Sequence, residues 1–143
     1  MVHSFLGEYQ YRIDTKGRVA IPPRFREAFK EGVVVAQGFE KCIHVYSVAE
    51  WEKVAEKLTS LPMTRQNARR INRAILSSAF NLELDRQGRV VLPSTLKDYA
   101  AIKSEVVIAG LHSYLEIWNA ENWAAEKAVM REQAAQIAEQ VEV

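Results

Sequence analysis

Hydrophobic and polar positions along the chain fall into short alternating runs separated by turn residues, with two longer helical stretches. The extended run Glu8 to Ile13 meets the tight turn Asp14-Thr15-Lys16-Gly17-Arg18 and returns as Arg18 to Ile21. Asp accepts from backbone N–H groups just ahead of it, and Gly takes a positive φ at little steric cost, so this segment predicts a turn with a mechanism. Pro22-Pro23 then stops the strand and suits the first turn of a short helix, about Arg24 to Phe29, with Gly32 placed to cap it. A β run, Val34-Val35-Ala36, follows, then a turn at Gly38 and a second alternating strand from Cys42 to Tyr46. Ser47-Val48-Ala49-Glu50 has capping-box spacing and opens a helix that carries Trp51 inward. Thr64 to Ala79 places Ala68, Ile71, Ile75 and Leu76 at helical spacing, and predicts a further helix.

The same order of elements then repeats. A slide of 71 places lays Ile13-Asp14-Thr15-Lys16-Gly17-Arg18-Val19-Ala20-Ile21-Pro22 on Leu84-Asp85-Arg86-Gln87-Gly88-Arg89-Val90-Val91-Leu92-Pro93. Downstream a slide of 72 lays Val34-Val35-Ala36 on Val106-Val107-Ile108, Gly38 on Gly110, Cys42–Tyr46 on Tyr114–Trp118, and Trp51 on Trp123. The second copy therefore predicts an extended run from Leu82 to Leu84, a return from Arg89 to Leu92, and a short helix from Thr95 to Tyr99. Asn119 and Asn122 stand where Ser47 and Glu50 stand in the first copy, and the stretch from Asn122 to Val143 is helical in pattern, fraying at its end. The expected division is a first module over 5–52, linking helices over 53–80, a second module over 81–124 and a C-terminal helix over 125–143.

A lone hairpin with one short helix is marginal and leaves strand edges unpaired. Two copies can cover each other's edges, so the halves are expected to interleave as a pseudo-twofold unit. The fold class is α+β, mainly β with peripheral helices. Phe25, Phe29, Tyr46, Trp51, Trp118 and Trp123 are assigned to the core. Composition changes this picture little. At 48% hydrophobic and 26% charged residues, 143 residues suffice for a core without staples. The single cysteine, Cys42, excludes an intrachain disulfide and reads as a small buried hydrophobe. His3, His44 and His112 lie apart with no metal-ligand spacing, so neither metal nor cofactor is expected. No run approaches the ~20 apolar residues of a membrane span, and Met1 to Tyr11 lacks the pattern of a secretion signal. A net charge of +1 argues against coating nucleic acid by bulk charge; a nucleic-acid binder of this kind needs a local basic patch.

The segments Asp-Thr-Lys-Gly-Arg-Val-Ala-Ile-Pro and Asp-Arg-Gln-Gly-Arg-Val-Val-Leu-Pro, each followed by a short helix, resemble the DNA-binding hairpin of AbrB-type transition-state regulators and SpoVT. Two tandem copies at this spacing, with Gly7-Glu8-Tyr9 ahead of the first, resemble the MraZ family from about Phe5 to about Met130. Leu92 in place of Ile is the one departure within the motif. The resemblance implies a swapped-hairpin β-barrel formed within the chain from two ββαβ-type repeats, and ring-shaped homo-oligomers. It also implies binding to short direct repeats in double-stranded DNA upstream of the family's own division and cell-wall gene cluster, usually as a repressor. The location it implies is cytoplasmic and nucleoid-associated, with no membrane and no small-molecule substrate. The family's DNA-binding segment maps onto Asp14 with Arg18, and Asp85 with Arg89.

Residue chemistry agrees with that mapping. Arg pairs bidentately with guanine and with phosphate, and an Arg at the first strand position after a tight turn projects at the tip of a ribbon that a major groove admits. Arg18, Lys16, Arg89, Arg86 and Arg24 are the candidate DNA contacts; Asp14, Gly17, Asp85 and Gly88 are the residues that hold the loops. Arg12, Lys16, Arg18, Arg24, Arg26 and Lys30 outnumber Glu8, Asp14 and Glu27 around the first turn. Around the second, Arg86, Arg89 and Lys97 are offset by Glu83, Asp85 and Asp98, so the first copy is expected to lead in binding. Arg65, Arg69 and Arg73 share a helix face that reads as solvated or as a subunit salt-bridge surface. No nucleophile–base pair or carboxylate pair is spaced for catalysis, so an enzyme is not expected. An antitoxin would carry one hairpin and a disordered tail rather than a full second copy, and a ring-forming protein that binds no DNA is the remaining alternative.

Overall fold

The computed structural model describes residues 4–142; His3, one of the three histidines read as non-ligating, lies outside them. Among the described residues, eight strands and four α-helices follow the repeat. The first copy supplies β1 (Phe5–Arg12), β2 (Arg18–Ala20), β3 (Val33–Gln37), β4 (Ile43–Ser47) and α1 (Val48–Thr59). After α2 (Gln66–Leu76), the second supplies β5 (Phe80–Leu82), β6 (Arg89–Val91), α3 (Ser94–Tyr99), β7 (Glu105–His112), β8 (Leu115–Asn119) and α4 (Ala120–Gln140). Where α3 stands in the second copy, the first has a 3-10 helix, Pro23–Phe29, opened by the bond from the Phe25 N–H to the Pro22 carbonyl. The Ser47 hydroxyl accepts from the Glu50 N–H, as the capping-box spacing requires, and the Asn119 side chain caps α4 through the Glu121 and Asn122 N–H groups. No helix among the described residues is long and apolar enough to cross a membrane.

The strands form one six-stranded antiparallel sheet in the order β1-β7-β8-β4-β3-β5 and a separate ribbon of β2 with β6. Exchange the copies and the order reads the same from either end. Four of the pairings join one copy to the other: β1 lies on β7, β5 on β3, β4 on β8, and β2 on β6. The extended run and its return are thus joined at the turn but pair with different partners.

The expected closed barrel is not formed, because the sheet ends on β1 and β5. The prolines explain the ribbon's shortness: Pro22 and Pro93 each follow within two residues of β2 and β6, lack an N–H, and end the ladder after three pairs. A ribbon so short does not bridge the two sheet edges.

One face of the sheet, the ribbon and the short helices enclose the core. Val19, Ile21, Val90 and Leu92 come from the ribbon; Val33, Val35, Ile43, Val45, Val106, Ile108, Leu115 and Ile117 come from the sheet. Phe5 stacks on Phe29 at 5.5 Å and meets Phe25 edge-on at 5.0 Å, which fixes the 3-10 helix against β1. Phe25, Phe29, Tyr46 and Trp118 are buried as assigned. Trp51 and Trp123 are only half-buried: they lie on the outer face, where they cover Tyr46 and Trp118 at 5.5 and 5.6 Å.

Candidate nucleic-acid interface

Each repeated turn is organised by its aspartate. Asp14 Oδ1 accepts from the N–H groups of Lys16 and Arg18 at 2.9 and 2.8 Å, and Oδ2 accepts from Arg18 Nε at 2.6 Å. Asp85 does the same for Gln87 and Arg89, at 2.9 Å in all three contacts. Gly17 and Gly88 sit at φ 78° and 76°, each donating its N–H back to the aspartate carbonyl at 3.0 Å. These bonds favour the ionised carboxylates: the backbone N–H of Arg18 leads in holding Asp14 below its ordinary value, and that of Arg89 does so for Asp85. Each guanidinium is held within its own turn by a hydrogen bond from Nε, with no hydrogen bond from its terminal nitrogens to the loop that holds it. Side-chain exposure is 28% for both arginines, enough to reach a ligand from a fixed base.

The turns also hold each other. Ile21 donates to the Gly88 carbonyl and Leu92 to the Gly17 carbonyl, both at 2.9 Å, so each turn closes against the strand of the other copy. Arg26 reaches across to the second turn while its Nε donates to the Ile21 carbonyl at 2.9 Å; a Cβ on Gly88 would stand 2.1 Å from that Nε. In return Lys97 Nζ lies 3.2 Å from where a Cβ on Gly17 would be. The charge division expected from chain proximity is therefore rearranged: a basic side chain from each copy serves the other copy's turn. Asp14 Oδ2 lies 3.9 Å from an Arg89 terminal nitrogen, so one carboxylate faces both arginines.

Lys16, Arg86 and Arg24 are exposed, the first two beside the paired arginines at the turn tips. The Arg24 guanidinium lies 3.5 Å from the Tyr9 hydroxyl, towards β1. Arg26 and Lys97 were not among the candidates drawn from sequence; the cross-packing that brings them in leaves no local spacing to read.

A profile of the family described as "MraZ protein, putative antitoxin-like" matches the chain twice, over residues 4–74 and 75–141. The chain belongs to the MraZ family. A relative from Dehalococcoides mccartyi, named "Transcriptional regulator MraZ", is 47% identical over 96% of this chain and 98% of its own length. Proteins of the same name from Thermomicrobium roseum and Roseiflexus castenholzii are 42% and 40% identical, each over 96% of both chains. The two MraZ matches meet inside α2, in agreement with the half-chain repeat.

A second constellation lies on the opposite face of the sheet from the core. His44, read from sequence as a lone histidine, is gathered with Cys42 and Glu116, all three buried. Local spacing conceals this because His44 and Glu116 meet only through the β4–β8 pairing. Cys42 is buried as expected, and burial pushes its thiol up to about 12. His44 Nδ1 is 2.9 Å from the Tyr46 hydroxyl, and Trp118 Nε1 donates to Glu116 Oε1 at 2.9 Å. Burial raises the Glu116 carboxyl, but the contacts from His44 and Trp118 outweigh it and leave Glu116 below its ordinary value.

Proposed function

We propose that the chain is a sequence-specific DNA-binding transcriptional regulator. In this reading it represses from short direct repeats upstream of its own division and cell-wall gene cluster. The observation that carries it is the pairing of two equivalent turns through one antiparallel ribbon, each presenting an arginine fixed at Nε by an aspartate. Such a ribbon offers pre-oriented donors to base edges in a major groove, with Lys16, Arg86, Arg26 and Lys97 available to phosphates. Arg18 and Arg89 are the proposed base readers, and Arg24 a flanking contact. Asp14, Gly17, Asp85 and Gly88 set the loops. The relatives' shared name supports a role in transcription. The interleaved pairing supports a swapped-hairpin unit in which both copies face one DNA site.

One ribbon buries little surface and binds weakly; a ring of subunits laid on tandem sites gains from effective concentration. Paired Leu6 and Leu111 at the edge of the sheet, 63% and 39% exposed, support a subunit contact there. In the cell such a protein works in the cytoplasm, on the nucleoid. The test is a gel-shift titration of the full chain on its own upstream DNA. The repeats are left intact, reduced to one, or respaced by half a helical turn. Affinity should fall steeply in the last two, and should fall with salt in all three. Equal affinity for a single repeat overturns the multivalent reading; equal affinity for unrelated DNA overturns sequence specificity.

A further inference from the structure

We propose that Cys42, His44 and Glu116 bind one divalent transition-metal ion of the zinc class, clamping the two repeats together at the centre of the sheet. The Sγ, ring-nitrogen and carboxylate-oxygen atoms of the three residues all lie within 4.8 Å of one another. They are 0%, 5% and 8% exposed. His44 Nε2 has no hydrogen-bond partner, although it stands 3.2 Å from Glu116 Oε2: the contact is close but off the line of a hydrogen bond. A nitrogen and an oxygen bound to one tetrahedral zinc at ~2.0–2.1 Å stand about 3.3 Å apart, so this separation is the one coordination asks for. A buried ring nitrogen left without a partner is costly, and an ion between the two groups removes the cost.

The surroundings fit a ligand set. Tyr46 holds the far nitrogen of the His44 ring, and Trp118 holds the other oxygen of Glu116, so the nearer atoms of both are aimed inward. Gly38 keeps the backbone close: a Cβ there would stand 2.6 Å from Cys42 Sγ and 2.8 Å from His44 Nε2. When Sγ coordinates, the thiol proton leaves to solvent. The resulting thiolate and the carboxylate carry two negative charges, which balance one divalent ion in a buried place. Sulfur, imidazole and carboxylate together select zinc or cobalt over magnesium or calcium, which take oxygen donors. Cys42 and His44 come from the first repeat and Glu116 from the second, so the ion ties the copies where they pair.

The full chain, stripped with a chelator under reducing conditions, is titrated with Co(II). The expected result is saturation at one cobalt per chain, with a thiolate-to-cobalt charge-transfer band and intense tetrahedral d–d bands that Zn(II) bleaches. Zn(II) should also slow modification of Cys42 by a thiol reagent and raise the melting temperature. Cys42→Ala should abolish the charge-transfer band, and Glu116→Gln should weaken cobalt binding at least tenfold, in line with the loss of a ligand. Failure of the unmodified chain to bind cobalt stoichiometrically, or binding without the thiolate band, overturns the proposal even where a variant does not fold. Persistence of the band in Cys42→Ala overturns it as well.

Discussion

Val19 pairs with Val90 in the ribbon and His44 pairs with Glu116 in the sheet; both are pairs of equivalent positions in the two copies, yet one has stayed alike and the other has diverged. The difference follows from what each residue must do when it faces its own counterpart. Two valines bury each other's methyl groups and gain by being the same, and both are fully buried here. Two buried histidines or two buried glutamates would leave like groups desolvated without complement. A repeat that meets itself at a polar position has to become unequal there. The turns flanking Val19 and Val90 stayed alike because each presents the same aspartate-held arginine.

The strongest way to break this likeness is to remove the arginines one at a time. Loss of an arginine that reads a base costs ~1–3 kcal/mol of operator binding, or about fivefold to over a hundredfold in Kd. Arg18→Ala should cost more than Arg89→Ala. Asp14 lies within 4 Å of both guanidinium groups, but it grips only Arg18 in its own loop, whereas Arg89 faces two carboxylates and is more fully neutralised. Gel-shift titrations on the intact repeats measure the ranking, and equal losses sink it. Each variant should retain binding to unrelated DNA to a greater degree than binding to the operator.

The glycines sharpen the comparison at the next level down. Both need a positive φ, which costs an alanine ~1–2 kcal/mol. Gly88→Ala must in addition displace the Arg26 side chain, which is pinned to the Ile21 carbonyl; Gly17→Ala meets only the flexible end of Lys97. Gly88→Ala should therefore lower the melting temperature further than Gly17→Ala, as read by thermal unfolding followed by circular dichroism. The reverse order would mean that Arg26 does not sit under the second turn.

That asymmetry was beyond reading from the chain, and the reason is instructive. The repeat, the turns, the capping box and the candidate Asp, Gly and Arg residues are local patterns, so they are legible at fixed offsets. Which copy a side chain serves is set by strand exchange. Arg26 and Lys97 follow their own turns in sequence but serve the opposite ones, and a count of charges by proximity assigns them to the wrong side. His44 and Glu116 are hidden for the same reason: they lie half a chain apart and meet through a register that no local spacing encodes. The barrel expectation failed at the ribbon ends, where a proline after each strand limits pairing more than the motif suggests.

The smallest effect expected is that of pH, and it tests whether the two aspartates are equivalent loop holders. Both carboxyls lie below the ordinary value of 3.8, first because of the backbone N–H groups of Arg18 and Arg89. A carboxyl depressed in the folded chain binds fewer protons there than in the unfolded chain. Its contribution is therefore complete above the unfolded value and is lost as pH falls through the folded one. The melting temperature should accordingly decline below about pH 4. Asp14→Asn should flatten part of that decline, and Asp85→Asn a similar part, because each carboxylate accepts the same three bonds. Operator binding should separate them where stability does not: Asp14→Asn also removes the second carboxylate from Arg89, so it should alter both readers. A matching change in operator specificity for the two variants would show that the 3.9 Å approach of Asp14 to Arg89 has no part in binding.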